Sequence, residues 1–570
     1  MRAPTTAPAG APTGARPRRG VLSIDEGTTG TRAAVVLDDG GTAGAAYSPI
    51  SVRSPDHLRV EQDAAEIWEK TVAVSRQALD WAAAHGVEVT GVSVSTQRAT
   101  VLLWDTVTGE PLSRAVVWQD RRYAARLREW EPDWDDRLVE HTGRPVGSRA
   151  PLLWAAEELG RDGPAARAHD LGRAAFGSID TWLVWKLTAG ARHVIAATNA
   201  VAAGAYDLRT GDWHLPWVEF LGCPKDVLPR IVDEDGDFGE TDPSVLGVRL
   251  PILSVMGDQH AAMIALGAHR PGQGMCVHGT GTFLDAVAGA RPEGRPGVPG
   301  VLTLVGWRSR GVPVFSLEGY AATTGSAMRW LCEEIGLFDS PGQLAALAAE
   351  HTGPTRVTFV PALAGLRTPD WVPEATGVLT GLSLSTTRAE LARGILEGFA
   401  HSVCDLLEGV ERAMGAPVGD LVCGGGLSTS DVLMSSQADL IGRPVRRARD
   451  HQTASLRGTA YLGGVRAGLW PDLPAAVTGL ADAPVFEPAL PESRRLEARA
   501  QWRDLLARHL AAPAAPPRTP PPTARPTLPA GPGDTETTHR RRRSRDPTSR
   551  TQGQVRDQEH DPPHPPDPRP

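Results

Sequence analysis

Along residues 21–121 the apolar positions fall into short runs whose period changes from one run to the next. VLSID and AAVVLDD are near-continuous apolar runs of strand length, and DDGG behind the second is turn chemistry. VEQDAAEIWEKTVAVSRQALDWAAAHG instead has helical spacing, with Ile67, Val74 and Leu79 on or near one face and Gly86 as its stop. GVSVSTQR, TVLLWDTVTG and AVVWQDRR return to strand character. The alternation predicts an α/β chain whose first domain opens with a meander.

The opening pattern recurs. LSIDEGTTGTRAAVVLD (22–38) is strand, Gly/Thr turn, strand, and GMCVHGTGTFLDAV (274–287) repeats that order roughly 250 residues later. Two such turns, each heading a long α/β stretch, suggest a duplicated domain with a cleft between the copies. Two ordinary hairpins are the plainer reading of this pattern alone. A chain of 570 residues suggests two or more domains, and 41 % hydrophobic residues support a large core. The ends differ in composition: residues 1–20 and 512–570 are rich in Pro, Arg and Thr and are expected to be disordered. RRRRSR at 540–545 reads as part of a solvated tail, or as a contact for nucleic acid or acidic lipid.

Charge and cysteine usage exclude several classes. A net charge of −8 argues against a nucleic-acid footprint. Cys223, Cys276, Cys332, Cys404 and Cys423 lie far apart with no C-x-x-C pair, which excludes a disulfide framework and a zinc ribbon and fits a reducing cytosol. The N-terminus has no apolar signal core, and no apolar run reaches the ~18 residues of a membrane span. The expectation is a cytoplasmic protein without membrane or nucleic-acid partners. The three lysines, Lys70, Lys186 and Lys225, follow no GxxxxG, so a P-loop is excluded and any nucleotide must be held another way.

Four segments carry candidate chemistry. A Gly/Thr turn frees backbone N–H groups from the sheet and adds hydroxyl donors, which together make an anion nest. Two facing nests can grip a polyphosphate without lysine. Asp25, at a strand end beside the first nest, is placed to meet Mg²⁺ or else to cap its turn. LVCGGGLSTSDVLMSSQADLIG (421–442) reads as strand, glycine turn, and a helix opening near Ser428 or Ser430, which suits a phosphate or a ribose. VMGDQHAA (255–262) ends a strand at Gly257 and places Asp258 either as a general base or as a helix N-cap.

Together these segments resemble the FGGY carbohydrate kinases of the hexokinase/actin-like ATPase superfamily, from about residue 21 to residue 470. DEGTTGTR looks like the family's first phosphate loop and VEQDAAEIW like its early VEQDP segment. GSIDTWLVWKLTAG, HGTGTF and GVLTGLSLSTTRAELARGILEG also match, the last with Gly394 where Ala or Ser is usual. GGGLSTSDVLMSSQADLIGRPV looks like the adenosine motif. STQRATVLLWDTVTGEPLSRAVVWQDRR and GDQHAA lie nearest the glycerol-phosphorylating branch.

The resemblance implies two ribonuclease H-like domains around a central cleft. Residues 21–256 would form an N-terminal domain with the acceptor and the first phosphate loop, 257–475 a C-terminal ATP domain, and 476–511 a helical extension. It implies ATP and Mg²⁺, with Asp25 on the metal and Thr28, Thr29 and Arg32 near the transferring phosphate. Gly279, Thr280 and Gly281 would form the second phosphate loop, Gly325, Gly424 and Gly425 would line the nucleotide, and Asp258 would be the base. Family members are often dimers or tetramers, so a homodimer or homotetramer is expected.

For the acceptor, Arg98, Trp118, Asp258 and Gln259 match positions that hold or border a polyol. Two positions depart from the pattern: Ala99 stands where a glutamate is expected, and Arg149, in GRPVGSRAP, where a tyrosine is expected. A lost carboxylate removes a hydroxyl acceptor, and an added arginine favours a carboxylate, a phosphate or more oxygens. TASLRGTAYLGG is nearer to kinases of sugar acids and pentuloses. Glycerol is the leading acceptor, with a tetritol, a pentulose or an aldonic acid as alternatives. A sensor without catalysis and an actin-like assembling ATPase are rivals from other classes. Asp25 and Asp258 speak against the first, STQR and WQDRR against the second.

Overall fold

In the first sheet, β1 (Arg19–Glu26) pairs antiparallel with β2 (Gly30–Leu37), which pairs with β3 (Thr42–Pro49), while β4 (Glu88–Thr96) and β5 (Ile252–Gly257) extend the other side in parallel. The order is β5-β4-β1-β2-β3. The structure is a computed structural model and describes residues 18–147, 150–290, 298–477 and 483–511. Apart from residues 18–20, the two tails expected to be disordered lie outside these residues, as does Arg149. The first tail ends earlier than expected: Arg19 and Gly20 belong to β1, because Arg18 and Arg19 carbonyls accept from Glu88 and Asp38 amides.

The second sheet repeats that arrangement. Here β6 (Gly274–His278) and β7 (Thr282–Gly289) form a hairpin, β8 (Leu302–Ser309) and β9 (Val312–Ala321) follow, and β10 (Leu421–Gly424), β11 (Val445–Arg447) and β12 (Val485–Phe486) complete it. The order is β8-β9-β7-β6-β10-β11-β12. Strands β6, β7 and β9 pair antiparallel in turn, and β10 and β11 continue in parallel from β6. The five strands β6, β7, β9, β10 and β11 thus reproduce the order and directions of β1 to β5, with β8 and β12 added at the edges. The two Gly/Thr turns head equivalent hairpins of two related α/β domains.

Helices cover the sheets where the spacing predicts them. In α1 (Ala64–Ala84), Asp63 caps the start by accepting from the Ala65 amide, and Ile67, Val74 and Ala78 face the core. Leu79 packs at its edge. β1 is buried on both faces, which explains why its sequence is continuously apolar rather than alternating. AVVWQDRR is mostly not a strand: only Ala115–Val116 pairs, because Asp120 accepts from the amides of Val60 and Arg122 and bends the chain. Helix α2 (Asp258–Ala265) leaves β5 without a loop.

Four further helices lie in the second half of the sequence. α3 (Arg388–Met414) is capped by Thr387 and packs so closely that a Cβ at Gly394 would lie 2.4 Å from the Val357 carbonyl oxygen. α4 (Asp431–Ile441) starts at Ser430, whose hydroxyl accepts from the Leu433 amide. α5 (Ala454–Arg466) follows β11 of the second sheet in sequence but lies on the first, with Ser23 donating to the Leu456 carbonyl and Ser254 to that of Thr459. The extension α6 (Glu492–Ala511) docks on α3, where Arg499 and Trp502 both reach Asp405 and Trp502 stacks on His401. Among the described residues no helix is long and apolar enough to cross a membrane.

The α5–α2 contact depends on a missing side chain. A Cβ at Gly458 would lie 1.7 Å from the Ala261 carbonyl oxygen. Gly458→Ala is therefore expected to destabilise the protein by about 3 kcal/mol. Thermal melting checks this: a midpoint within about 1 °C of the parent would show that the helices separate at no cost.

Candidate active site

The first Gly/Thr turn is closed by the Gly27 amide, which donates to the Gly30 carbonyl at 3.1 Å. Among the described residues the amides of Thr28 and Thr29 make no hydrogen bond. A Cβ at Gly30 would lie 2.4 Å from the hydroxyl of the exposed Tyr47, whose ring would have to turn aside. Thr28 is held from two sides: Trp118 Nε1 donates to its hydroxyl at 2.9 Å and Gln62 Nε2 to its carbonyl at 2.7 Å. Thr29 is exposed. Arg32 donates to the Gln452 carbonyl, and its guanidinium lies over the Tyr47 ring.

Asp25 lies in β1 opposite Ser95 of β4, whose hydroxyl donates to Oδ1 at 2.7 Å. Its other oxygen makes no hydrogen bond among the described residues. Burial pushes its carboxyl above the usual range, against the pull of Ser95 and Arg32.

Asp258 follows β5 at the first position of α2. Gly257 occupies the N-cap position, so Asp258 is not the cap. Its Oδ1 accepts from the Gln259 amide at 2.8 Å and lies 3.9 Å from Arg98 Nε. The side chain keeps 28 % of its surface exposed. Burial pushes its pKa up to about 6; Arg98 works against the rise, and Asp25 and Glu318 add to it. Gln259 Oε1 and both ring nitrogens of His260 are buried without a partner among the described residues.

Arg98 joins the two sheets. Its Nη2 donates to Glu318 of β9 at 2.6 Å. Glu318 is the register partner of Asp285 in β7, and Asp285 is fully buried with no partner for either oxygen among the described residues. Burial and the neighbouring Glu318 hold the Asp285 carboxyl well above the usual range. One guanidinium thus faces Asp258, Asp285 and Glu318, and like charges this close favour keeping a proton on one of them. Sequence reading missed Asp285 and Glu318. The available signal was an acidic residue interrupting an apolar strand, in TFLDAVAG and FSLEGYA.

The expected nucleotide residues meet at the end of β6. The Gly279 amide donates to the Gly281 carbonyl at 2.8 Å, repeating the closure of the first turn, and the amides of Thr280 and Gly281 make no hydrogen bond among the described residues. Gly325 donates to the Gly279 carbonyl, and a Cβ on it would lie 2.4 Å from that oxygen. Gly425, behind Gly424 at the end of β10, has φ +86°, and a Cβ there would lie 2.3 Å from the His278 carbonyl oxygen. Three glycine turns distant in sequence therefore pack against one another at backbone distance.

Beside Trp118, a pocket is lined by Ala99, Tyr123, Ala150, Pro151 and Trp154. Ala99 is buried with φ +58°. Tyr123 and Trp154 were not anticipated; both lie outside the recognised motifs.

The family descriptions match along the chain in the same order as the two sheets. The N-terminal domain of the FGGY family of carbohydrate kinases matches residues 20–265 and its C-terminal domain residues 274–467. The chain belongs to the FGGY family of carbohydrate kinases. It is 37 % identical over 495 residues to a glycerol kinase of Aromatoleum aromaticum, covering 86 % of this chain and 98 % of that one. Among solved structures, Plasmodium falciparum glycerol kinase with ADP superposes with a TM-score of 0.80 at 25 % identity, over 87 % of this chain and 99 % of that one. Gluconate kinase of Lactobacillus acidophilus shares the fold, with a TM-score of 0.73 at 18 % identity over 86 % of this chain and 97 % of that one.

Proposed function

We propose that this ATP-dependent kinase transfers the γ-phosphoryl group of ATP to a primary hydroxyl of a small polyol, converting glycerol to glycerol 3-phosphate. The observation that carries the reading is Asp258: a half-buried carboxylate with a pKa of about 6, beside Arg98, in a chain similar to glycerol kinases over nearly their whole length. Asp258 takes the proton from the attacking hydroxyl. Arg98 and Gln259, whose Oε1 lacks a partner among the described residues, orient the polyol, with Trp118 as a wall. The amides of Thr28, Thr29, Thr280 and Gly281 bind phosphate oxygens, and Arg32 lies beside the first of these turns. Gly325, Gly424 and Gly425 let the nucleotide approach the main chain.

Asp25 suits Mg²⁺: it is a hard oxygen donor at a strand end beside the first phosphate turn, with one oxygen fixed by Ser95 and the other without a hydrogen bond among the described residues. When bound, the metal offsets charge on the phosphate oxygens.

A second acceptor reading rests on Ala99. Ala99 stands where a carboxylate would accept from a polyol hydroxyl, which leaves a tetritol, a pentulose or an aldonic acid as the alternative acceptor. ADP release with Mg-ATP across glycerol, erythritol, ribitol, xylulose, ribulose and gluconate decides between them. Glycerol is expected to stimulate most strongly. Stimulation by a longer acceptor alone would replace it, and no stimulation by any would remove the polyol kinase reading.

A further inference from the structure

Beneath the second phosphate turn, Cys276, His278 and Cys423 converge. Cys276 and Cys423 are register partners on the adjacent parallel strands β6 and β10, so their side chains share a sheet face. His278 is two residues beyond Cys276 in β6 and shares that face. All three are buried, and one donor atom of each lies within 4.8 Å of the other two. Cys276 Sγ is 3.8 Å from His278 Nε2. Around a tetrahedral zinc, with Zn–S about 2.3 Å and Zn–N about 2.0 Å, that separation would be about 3.6 Å.

The hydrogen bonds around the imidazole set its tautomer. Gln437 Nε2 lies 3.1 Å from His278 Nε2, and an amide nitrogen only donates, so Nε2 carries a lone pair. Nδ1–H then donates to the Thr282 hydroxyl at 2.9 Å, which contacts Thr324 in turn. That lone pair accepts from the Gln437 amide in this structure, so zinc binding requires the Gln437 side chain to turn its nitrogen away, which presents Oε1 in its place, while the Thr282 hydroxyl keeps hold of Nδ1. Gln437 Oε1 lies 3.9 Å from Cys423 Sγ and supplies a fourth donor. The other group of this kind, His141, Asp207 and His214, differs: the Arg209 guanidinium already sits on His141.

We propose that Cys276, His278 and Cys423 bind Zn²⁺, with the Gln437 amide oxygen completing the shell. Two thiolates and an imidazole are the donors that select zinc over the harder Mg²⁺. The ion ties β6 to β10 and thereby braces the two strands that lead into Gly279–Gly281 and Gly424–Gly425. Because the cluster is sealed, the metal enters during folding and exchanges slowly.

The test is the metal content of the full chain purified from zinc-supplemented medium, followed by refolding with Co²⁺ to read thiolate-to-metal charge transfer. One zinc per chain is expected, with a thiolate band on Co²⁺ substitution and a melting midpoint several degrees above that of the metal-free protein. Cys276→Ser and Cys423→Ser are each expected to weaken binding by at least about 100-fold, while Cys223→Ser retains it. If the serine variants fail to fold, the spectrum of the unaltered chain still decides. No zinc in the purified chain, a Co²⁺ spectrum without a thiolate band, or undiminished zinc in Cys276→Ser would each overturn the assignment.

Discussion

Asp258→Asn is expected to lower kcat by about 10³-fold while changing the KM for ATP and acceptor only a few-fold. The amide has the size of the carboxylate, and its Oδ1 still accepts from the Gln259 amide, so the start of α2 is retained. What is lost is the ability to take a proton. The pH profile supplies the second half of the test. A base acts when ionised, and burial has raised the Asp258 pKa to about 6. In the parent enzyme kcat/KM is therefore expected to be flat above about pH 7 and to fall up to tenfold per unit below about pH 6. The residual activity of the variant should lack that limb. A variant that keeps the acid limb would transfer the role of base to another group, and one with near-normal kcat would remove Asp258 from the chemistry.

Asp25→Asn is expected to cost about 10²–10³-fold in kcat and to raise the Mg²⁺ concentration needed for half-maximal rate. The substitution leaves an oxygen to accept from Ser95 and removes only the charge. Stability should move the other way. Burial raises the Asp25 pKa above its unfolded value, so its ionised form opposes folding once pH exceeds the unfolded pKa. At neutral pH the asparagine variant should melt at or above the parent midpoint. Lost activity in a protein that melts higher separates a role in phosphoryl transfer from a role in folding. Normal kcat at ordinary Mg²⁺ would remove Asp25 from the metal site.

The candidate site was legible where its chemistry is local. Asp25, the Gly27–Thr31 turn, Gly279–Gly281 and Asp258 each lie at a strand end marked by an apolar run and small turn residues. The zinc cluster shows the opposite case. The absence of a C-x-x-C pair argued against a zinc ribbon, yet Cys276 and Cys423 become neighbours once β6 and β10 pair. The Ala99 pocket likewise includes Tyr123 and Trp154, which no motif marked.

Sequence by itself determined the elements, their α/β alternation, the repeated strand–turn–strand unit and the carboxylates at strand ends. These follow from hydrophobic period and turn chemistry acting over a few residues. Tertiary structure alone decided that Arg98 pairs with Glu318, 220 positions away, that Arg32 reaches Gln452, 420 positions away, and that α5 closes over the first sheet rather than the second. It also decided that Asp285 is buried without a partner among the described residues, which no local pattern predicts. The reason is physical: strand order and helix placement are set by which apolar faces can be buried together, and a buried charge takes its pKa and its partner from whatever that packing brings near it.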